Sequence, residues 1–236
     1  MYNRVYLIGL GGIGSNLVRP LAQLLSYANA NVGFDLTLID GDKVEEKNLA
    51  RQFFDEADLG RNKSEVFAEK VRLPGVRIDY FPYYLSKDNV RMLQNKSIVI
   101  LAVDNNQTRN LVQEHCLSLK DVVLVNGGNE DWDGDVTVFH NNNGEEILPP
   151  IWEGQDGIRN PSDLHPSEHC THHYESAPQL LCTNFAVASN ILAVLTPIIK
   201  KKVILWRQLF FDIRWGKSSA ATLLNPAEIT NFRLES

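Results

Sequence analysis

The chain is expected to fold as an α/β protein around a doubly wound, mostly parallel sheet that ends in a C-terminal antiparallel extension. Three observations carry this expectation. Apolar runs rich in Val, Leu and Ile alternate with helical stretches from residue 4 to residue 126, the pattern of strands buried on both faces and joined by right-handed crossovers. The first run closes on Gly9-Leu10-Gly11-Gly12-Ile13-Gly14-Ser15, a turn that lets backbone approach a phosphate chain at a helix N-terminus, as in Rossmann-like sheets. Beyond Asn129 the alternation stops, and short segments separated by turn residues take over.

Arg4 to Gly9 alternates little, as a strand buried on both faces should, and Ser15 to Tyr27 follows as a helix. Phe34 to Asp40 is the second strand, Lys63 to Leu73 a helix opening after a Gly-Arg-Asn turn, and Val76 to Tyr84 a third strand rich in Tyr and Phe. Ser97 to Val103 is the fourth strand. It ends at Asp104-Asn105, before a helix from about Gln107 to Leu119, and Val122 to Asn126 is a fifth strand leading into Gly127-Gly128. Asp135 to His140 reads as a short strand, and residues 141–178 carry Asn, Gly, Pro and His without usable periodicity, so a long crossover loop is expected there. Thr183 to Lys202 is an apolar helix whose terminal lysines suit the negative end of its dipole. Arg207 to Trp215 and Ser219 to Leu224 flank a Gly-Lys turn as an antiparallel pair.

At 236 residues the chain is expected to form one domain over residues 1–236, because doubly wound units of this length often bury a single core. Charged residues make up 22% and hydrophobic ones 44%, the balance of an ordinary globule. The net charge of -6 argues against duplex nucleic acid as a partner, since phosphate neutralisation needs a basic face. Met1-Tyr2-Asn3-Arg4 runs straight into the first strand without a leader pattern, and a cytoplasmic location is expected. The most apolar stretch, Phe185 to Ile199, is interrupted by Asn190, Thr196 and Pro197, so it reads as a buried helix and no membrane association is expected. The three cysteines, Cys116, Cys170 and Cys182, do not describe a disulfide framework.

The glycines Gly9, Gly11 and Gly14 also satisfy the pattern of nicotinamide enzymes, and Asp40 lies near the spacing at which a carboxylate accepts from ribose hydroxyls. Asp40 and Asp42 could equally be turn residues, and Arg51 and Lys63 solvated surface. What narrows the reading is their combination with Asn48 and Gln52, which would put two cations beside a polyanion. The residues Asp40, Asp42, Val44, Glu45, Asn48, Leu49, Arg51, Gln52, Phe53, Gly60, Lys63, Asp104, Asn105 and Arg109 occur in one order. In this the chain resembles the ThiF/MoeB family of ubiquitin-activating-enzyme-like adenylyltransferases over roughly residues 5 to 135. The spelling Asp40-Gly41-Asp42 with Gly60-Arg61-Asn62-Lys63 looks closest to ThiF proteins carried in plasmid and mobile-element clusters.

The resemblance implies a doubly wound sheet that binds ATP and Mg2+ and joins AMP to the C-terminal carboxylate of a small ubiquitin-like protein. It implies that Gly9, Gly11, Gly12, Gly14 and Asp42 help build the nucleotide pocket and that Asp40 holds the ribose hydroxyls. Asn48, Arg51 and Gln52 would contact the triphosphate, Lys63 would face the α-phosphate, and Asp104 would bind magnesium. It also implies a homodimer, whose interface the helix from Thr183 and the late strands could supply. A trans-acting arginine common among relatives would have to be Arg4 or Arg19. The two Cys-x-x-Cys pairs that hold structural zinc in many relatives do not occur here. Residues His165, His169, His172 and His173 crowd around Cys170. Three readings stand side by side: a thiol at Cys170 that takes the acyl group from AMP as a thioester, an irregular zinc site completed by Cys182, or a polar loop. The competing functions are a nicotinamide-dependent oxidoreductase and a non-catalytic nucleotide-binding subunit. A peptide with a free C-terminus is an alternative substrate.

Overall fold

The computed structural model describes residues 2–28, 33–163 and 180–222. Five parallel strands, β1 (Arg4–Ile8), β2 (Phe34–Ile39), β3 (Val76–Phe81), β4 (Ser97–Leu101) and β5 (Val122–Asn129), lie in the order β3-β2-β1-β4-β5. Four antiparallel strands extend the sheet: β6 (Asp133–Asn142) pairs with β5, β8 (Trp206–Asp212) with β6, and β9 (Lys217–Thr222) with β8, while β7 (Glu145–Leu148) adds to β6. The helices are α1 (Gly12–Ala28), α2 (Glu46–Leu49), α3 (Lys63–Lys70), α4 (Asn106–Leu117), α5 (Asp156–Arg159) and α6 (Leu181–Lys201).

Alternate residues of each central strand face opposite sides of the sheet. Val5, Leu7, Leu36, Leu38, Ile98 and Ile100 pack under α1, α3 and α6, whereas Tyr6, Ile8, Val99 and Leu101 pack with Val112 and Cys116 of α4. Both faces are therefore covered, and this is why the strands read as unbroken apolar runs. The turn from β1 into α1 is tighter than expected. Ser15 N already donates to Gly11 O at 3.0 Å, so the helix begins inside the glycine run.

The differences from expectation have tertiary causes. β5 continues through Gly127-Gly128 because β6 pairs with it as far as Asn129 and Gly134. A Cβ on Gly127 would stand 2.7 Å from Ile191 and 2.8 Å from Val187, so this glycine makes room for α6 and does not turn the chain. The start of the stretch expected as loop over 141–178 carries β7 and α5 instead. α6 has 21 residues, longer than its apolar run, and is long and apolar enough by length and composition alone to cross a membrane. Its buried residues Val187, Ile191, Val194, Leu195 and Ile198 pack against α1 and the sheet, as a core helix does.

Candidate active site

β1 has β2 on one side and β4 on the other, so the chain changes direction of winding at its C-terminal end, the place where open α/β sheets bind ligands. A cleft of about 1690 Å³ opens there, and Gly9, Gly11, Gly12, Asp40, Asp42, Asn48, Arg51, Gln52, Lys63 and Asp104 all line it. Gly14 does not. A Cβ on Gly14 would lie 1.9 Å from Gly9 O, so it serves the closure of the loop on itself. Gly9 adopts φ +88°, and a Cβ there would meet Ala102 O at 2.6 Å, a position that only glycine fills without strain. Gly11 is the opposite case, with no protein atom within 4 Å of a Cβ position, which leaves a cradle open for a ligand.

Asp40 ties this loop to the end of β2. Its Oδ2 accepts from Leu10 N at 2.6 Å and its Oδ1 from Asp42 N at 2.7 Å. Burial pushes its carboxyl up to about 6, against the opposing charge of Lys63. Lys63 is itself buried, with 5% of its surface exposed, and its Nζ donates to Asp42 Oδ2 at 2.9 Å. Burial opposes the ammonium charge, but Asp40 and Asp42 outweigh it and hold Lys63 above the usual lysine range. Burial would likewise raise Asp42, yet Lys63 and the Tyr84 hydroxyl, which donates to Asp42 Oδ1, keep it below the usual carboxylate range. Asp42 thus holds Lys63 in place while itself lining the cleft. An ammonium has three hydrogens, so one bond to Asp42 leaves two for a ligand.

Sequence reading missed the residue that sets this pair. Asn62 caps α3, its Oδ1 accepting from Ser64 N and Glu65 N, while its Nδ2 donates to the carbonyls of Asp40 and Asp42 at 2.9 and 3.0 Å. An Asn directly before a helical stretch was the available signal. Asn48 is buried, and its Oδ1 accepts from Glu45 N at 2.9 Å to close the start of α2. The Arg51 guanidinium makes no hydrogen bond or ion pair among the described residues, and Gln52 Oε1 is buried without a partner. Asp104 is exposed in the cleft and is likewise unpaired among the described residues. Tyr84, Arg109 and Asp135 also line the cleft and were not singled out as site residues. Burial lowers the Arg109 guanidinium from its usual value and raises the Asp135 carboxyl, each opposing the other.

The ThiF family profile matches residues 2–206. The chain belongs to the ThiF family. It is 35% identical over 144 residues to the adenylyltransferase and sulfurtransferase MOCS3 of Xenopus laevis, covering 59% of this chain and 30% of that protein. It is 33% identical over 140 residues to the sulfur carrier protein adenylyltransferase of Thermus thermophilus, covering 58% of this chain and 49% of that one. The chain therefore spans 30% and 49% of the length of these two relatives. In fold it is similar to a crystal structure of Escherichia coli MccB with ATP, with a TM-score of 0.68 and 20% identity over 93% of this chain and 63% of that one.

Zinc, one of the three readings of the Cys170 region, and magnesium, implied by the resemblance, fare differently. Among the described residues no group of three or more His, Cys, Asp or Glu could hold a metal ion, so an all-protein zinc centre does not fit them. Magnesium does fit, because it is commonly held by one or two carboxylates plus substrate phosphates, and Asp104 supplies an unpaired carboxylate in the cleft. Cys170 and the four histidines around it lie outside the described residues. Cys116 is core, its thiol pushed well up by complete burial. Cys182 is exposed on the first turn of α6, between the exposed Leu181 and Phe185.

Proposed function

We propose that this ThiF family chain is an ATP-dependent adenylyltransferase that activates the C-terminal carboxylate of a ubiquitin-like or other small protein as its acyl-AMP. One observation carries the reading. The open cradle at Gly11, the ribose-competent carboxylate of Asp40 and the cations Arg51 and Lys63 line one cleft at the switch point of the sheet. A nicotinamide enzyme has no use for Asn48, Arg51, Gln52 and Lys63 together, and a non-catalytic subunit has no need to retain them.

In the reaction, an oxygen of the incoming carboxylate attacks the α-phosphorus of ATP and forms a new O–P bond. The bond to the bridging oxygen breaks and pyrophosphate leaves with its electron pair. No base is required, since a terminal carboxylate is ionised at neutral pH. The difficulty is repulsion between two anions, and the remedy is fixed positive charge at the place where negative charge builds. Lys63, pinned by Asp42, supplies a fixed ammonium, and Arg51 supplies a guanidinium with no competing protein partner. Asp40 retains lone pairs beyond the two backbone N–H groups it accepts, enough for ribose hydroxyls. Asp104 would hold Mg2+, which supplies charge neutralisation on the phosphates when bound.

Residues 1–236 act in this reading as one adenylation unit, a homodimer working in the cytoplasm. In the second step of this reading the Cys170 thiolate attacks the acyl-AMP carbonyl, forming a thioester as AMP leaves. The test is incubation of the protein with ATP, Mg2+ and candidate small proteins, followed by mass spectrometry. An acyl-AMP mass on the carrier is expected. Consumption of no ATP with any carrier, together with no measurable ATP binding, would overturn the proposal.

A further inference from the structure

Arg109 sits in the first turn of α4, where the helix presents its positive end, and its side chain is half-buried, with Nε enclosed. Both facts oppose a cation there. Among the described residues it forms no ion pair, although Asp104, Asp135 and Asp163 surround it. Its hydrogen bonds go elsewhere. Nη2 donates to Val103 O at 2.8 Å and Nη1 to Asn106 Oδ1 at 3.2 Å, and these two acceptors stand on either side of Asp104-Asn105. Nε is buried and unpaired. A Cβ on Gly128 would lie 3.0 Å from Nη2, so the glycine of β5 leaves the space into which the guanidinium wedges.

The same turn is held from its other end. Asn105 Oδ1 accepts from Thr108 N at 2.8 Å and Asp163 Oδ2 accepts from Asn106 N at 2.5 Å. Every residue flanking Asp104 is therefore tied down, while Asp104 itself makes no bond among the described residues. A forked donor can bridge a carbonyl and an amide oxygen in a fixed relation, and a lysine ammonium cannot impose that geometry.

We propose that Arg109 is a positioning residue that clamps the turn between β4 and α4 and so fixes the Asp104 carboxylate for a divalent cation in the phosphate cleft. This rests on the reading of Asp104 as the metal carboxylate. The clamp raises cation affinity by presenting Asp104 in one arrangement, at the cost of burying a charge where the helix end disfavours it.

The test measures Mn2+ affinity by electron paramagnetic resonance in protein saturated with a non-hydrolysable ATP analogue, with adenosine affinity and melting temperature read in parallel. Arg109→Lys is expected to weaken Mn2+ binding by about tenfold or more, the usual effect of removing a group that orients a metal ligand. Asn106→Ala, which removes one acceptor of the clamp, is expected to weaken it to a smaller extent. Adenosine affinity should stay at the wild-type value in both. Unchanged Mn2+ affinity in folded Arg109→Lys, or Mn2+ and adenosine affinities that fall together, would overturn the inference. Should Arg109→Lys not fold, Asn106→Ala decides, and wild-type Mn2+ affinity there overturns it as well. Asp104→Asn separates the two layers of argument. Wild-type Mn2+ affinity in that variant removes Asp104 as the metal carboxylate, whereas a loss there with no change in the other two removes only the clamp.

Discussion

Two alanine substitutions in one glycine run should have opposite consequences. At Gly11 the backbone is outside the left-handed region and the space beyond it is empty to 4 Å, so Gly11→Ala fits the fold without strain. Its methyl group would occupy the cradle and push a phosphate away from the loop N–H groups. Losing one hydrogen bond to a charged group costs about 1.5–3 kcal/mol, which is about 10- to 100-fold in Kd. At Gly14 the added carbon would stand 1.9 Å from Gly9 O, far inside contact distance, and the loop must shift. Overpacking of this kind costs about 1–3 kcal/mol or more, equivalent to a fall in Tm of at least about 2–4 °C for a chain of this size. Calorimetric titration with ATP and thermal denaturation of both variants provide the comparison. Wild-type ATP affinity in a folded Gly11→Ala protein would refute the assignment of the cradle. A Gly14→Ala protein with unchanged Tm would refute the packing argument.

Arg51→Ala should leave Tm unchanged, because the side chain makes no bond among the described residues, yet lower pyrophosphate exchange by about 10²- to 10³-fold; normal exchange would remove Arg51 from the mechanism. Lys63→Ala should lower exchange by a similar factor and also destabilise the protein, since Asp42 loses its counter-charge and Asp40 the charge that opposes its burial; a variant with wild-type Tm would contradict the pairing. Asp40 has its carboxyl at about 6 in the fold against 3.8 ordinarily. Its contribution to stability is therefore present below pH 3.8 and is lost as pH rises through about 6, while the ionised form that accepts ribose hydroxyls prevails above about 6. Adenosine affinity, measured with a ligand free of titrating phosphates, should decline as pH falls through about 6, and a flat profile would count against Asp40 as the ribose ligand. Cys170→Ser should still form acyl-AMP but yield no thiol-labile adduct by mass spectrometry; a persisting one would place the thioester on another cysteine.

The order of strands and helices was legible because each central strand is buried on both faces and each crossover helix follows a turn with its own residue signature. Leu7 and Leu38 declare their strands whichever neighbours they meet. The segments where the structure departs from the sequence expectation depend on partners distant in the chain. Gly127-Gly128 looked like the end of a strand, since nothing local reveals that β6 continues the ladder and that α6 needs the room. The short β7 has no alternation of its own and exists through its pairing with β6.

For the site, residue identity and spacing were enough to gather residues that meet in one cleft, all but Gly14 of those expected at the nucleotide lining it. They did not settle which groups remain available to a ligand. That Asp42 and Tyr84 engage one another beside Lys63, that Gly14 faces inward while Gly11 faces the cleft, and that Arg109 grips the backbone beside Asp104 follow from how the ends of β1, β2 and β4 converge. Hydrogen bonds and Coulomb attraction act over a few ångströms, and residues 42 and 63, or 109 and 128, come within that range only after the sheet has been assembled.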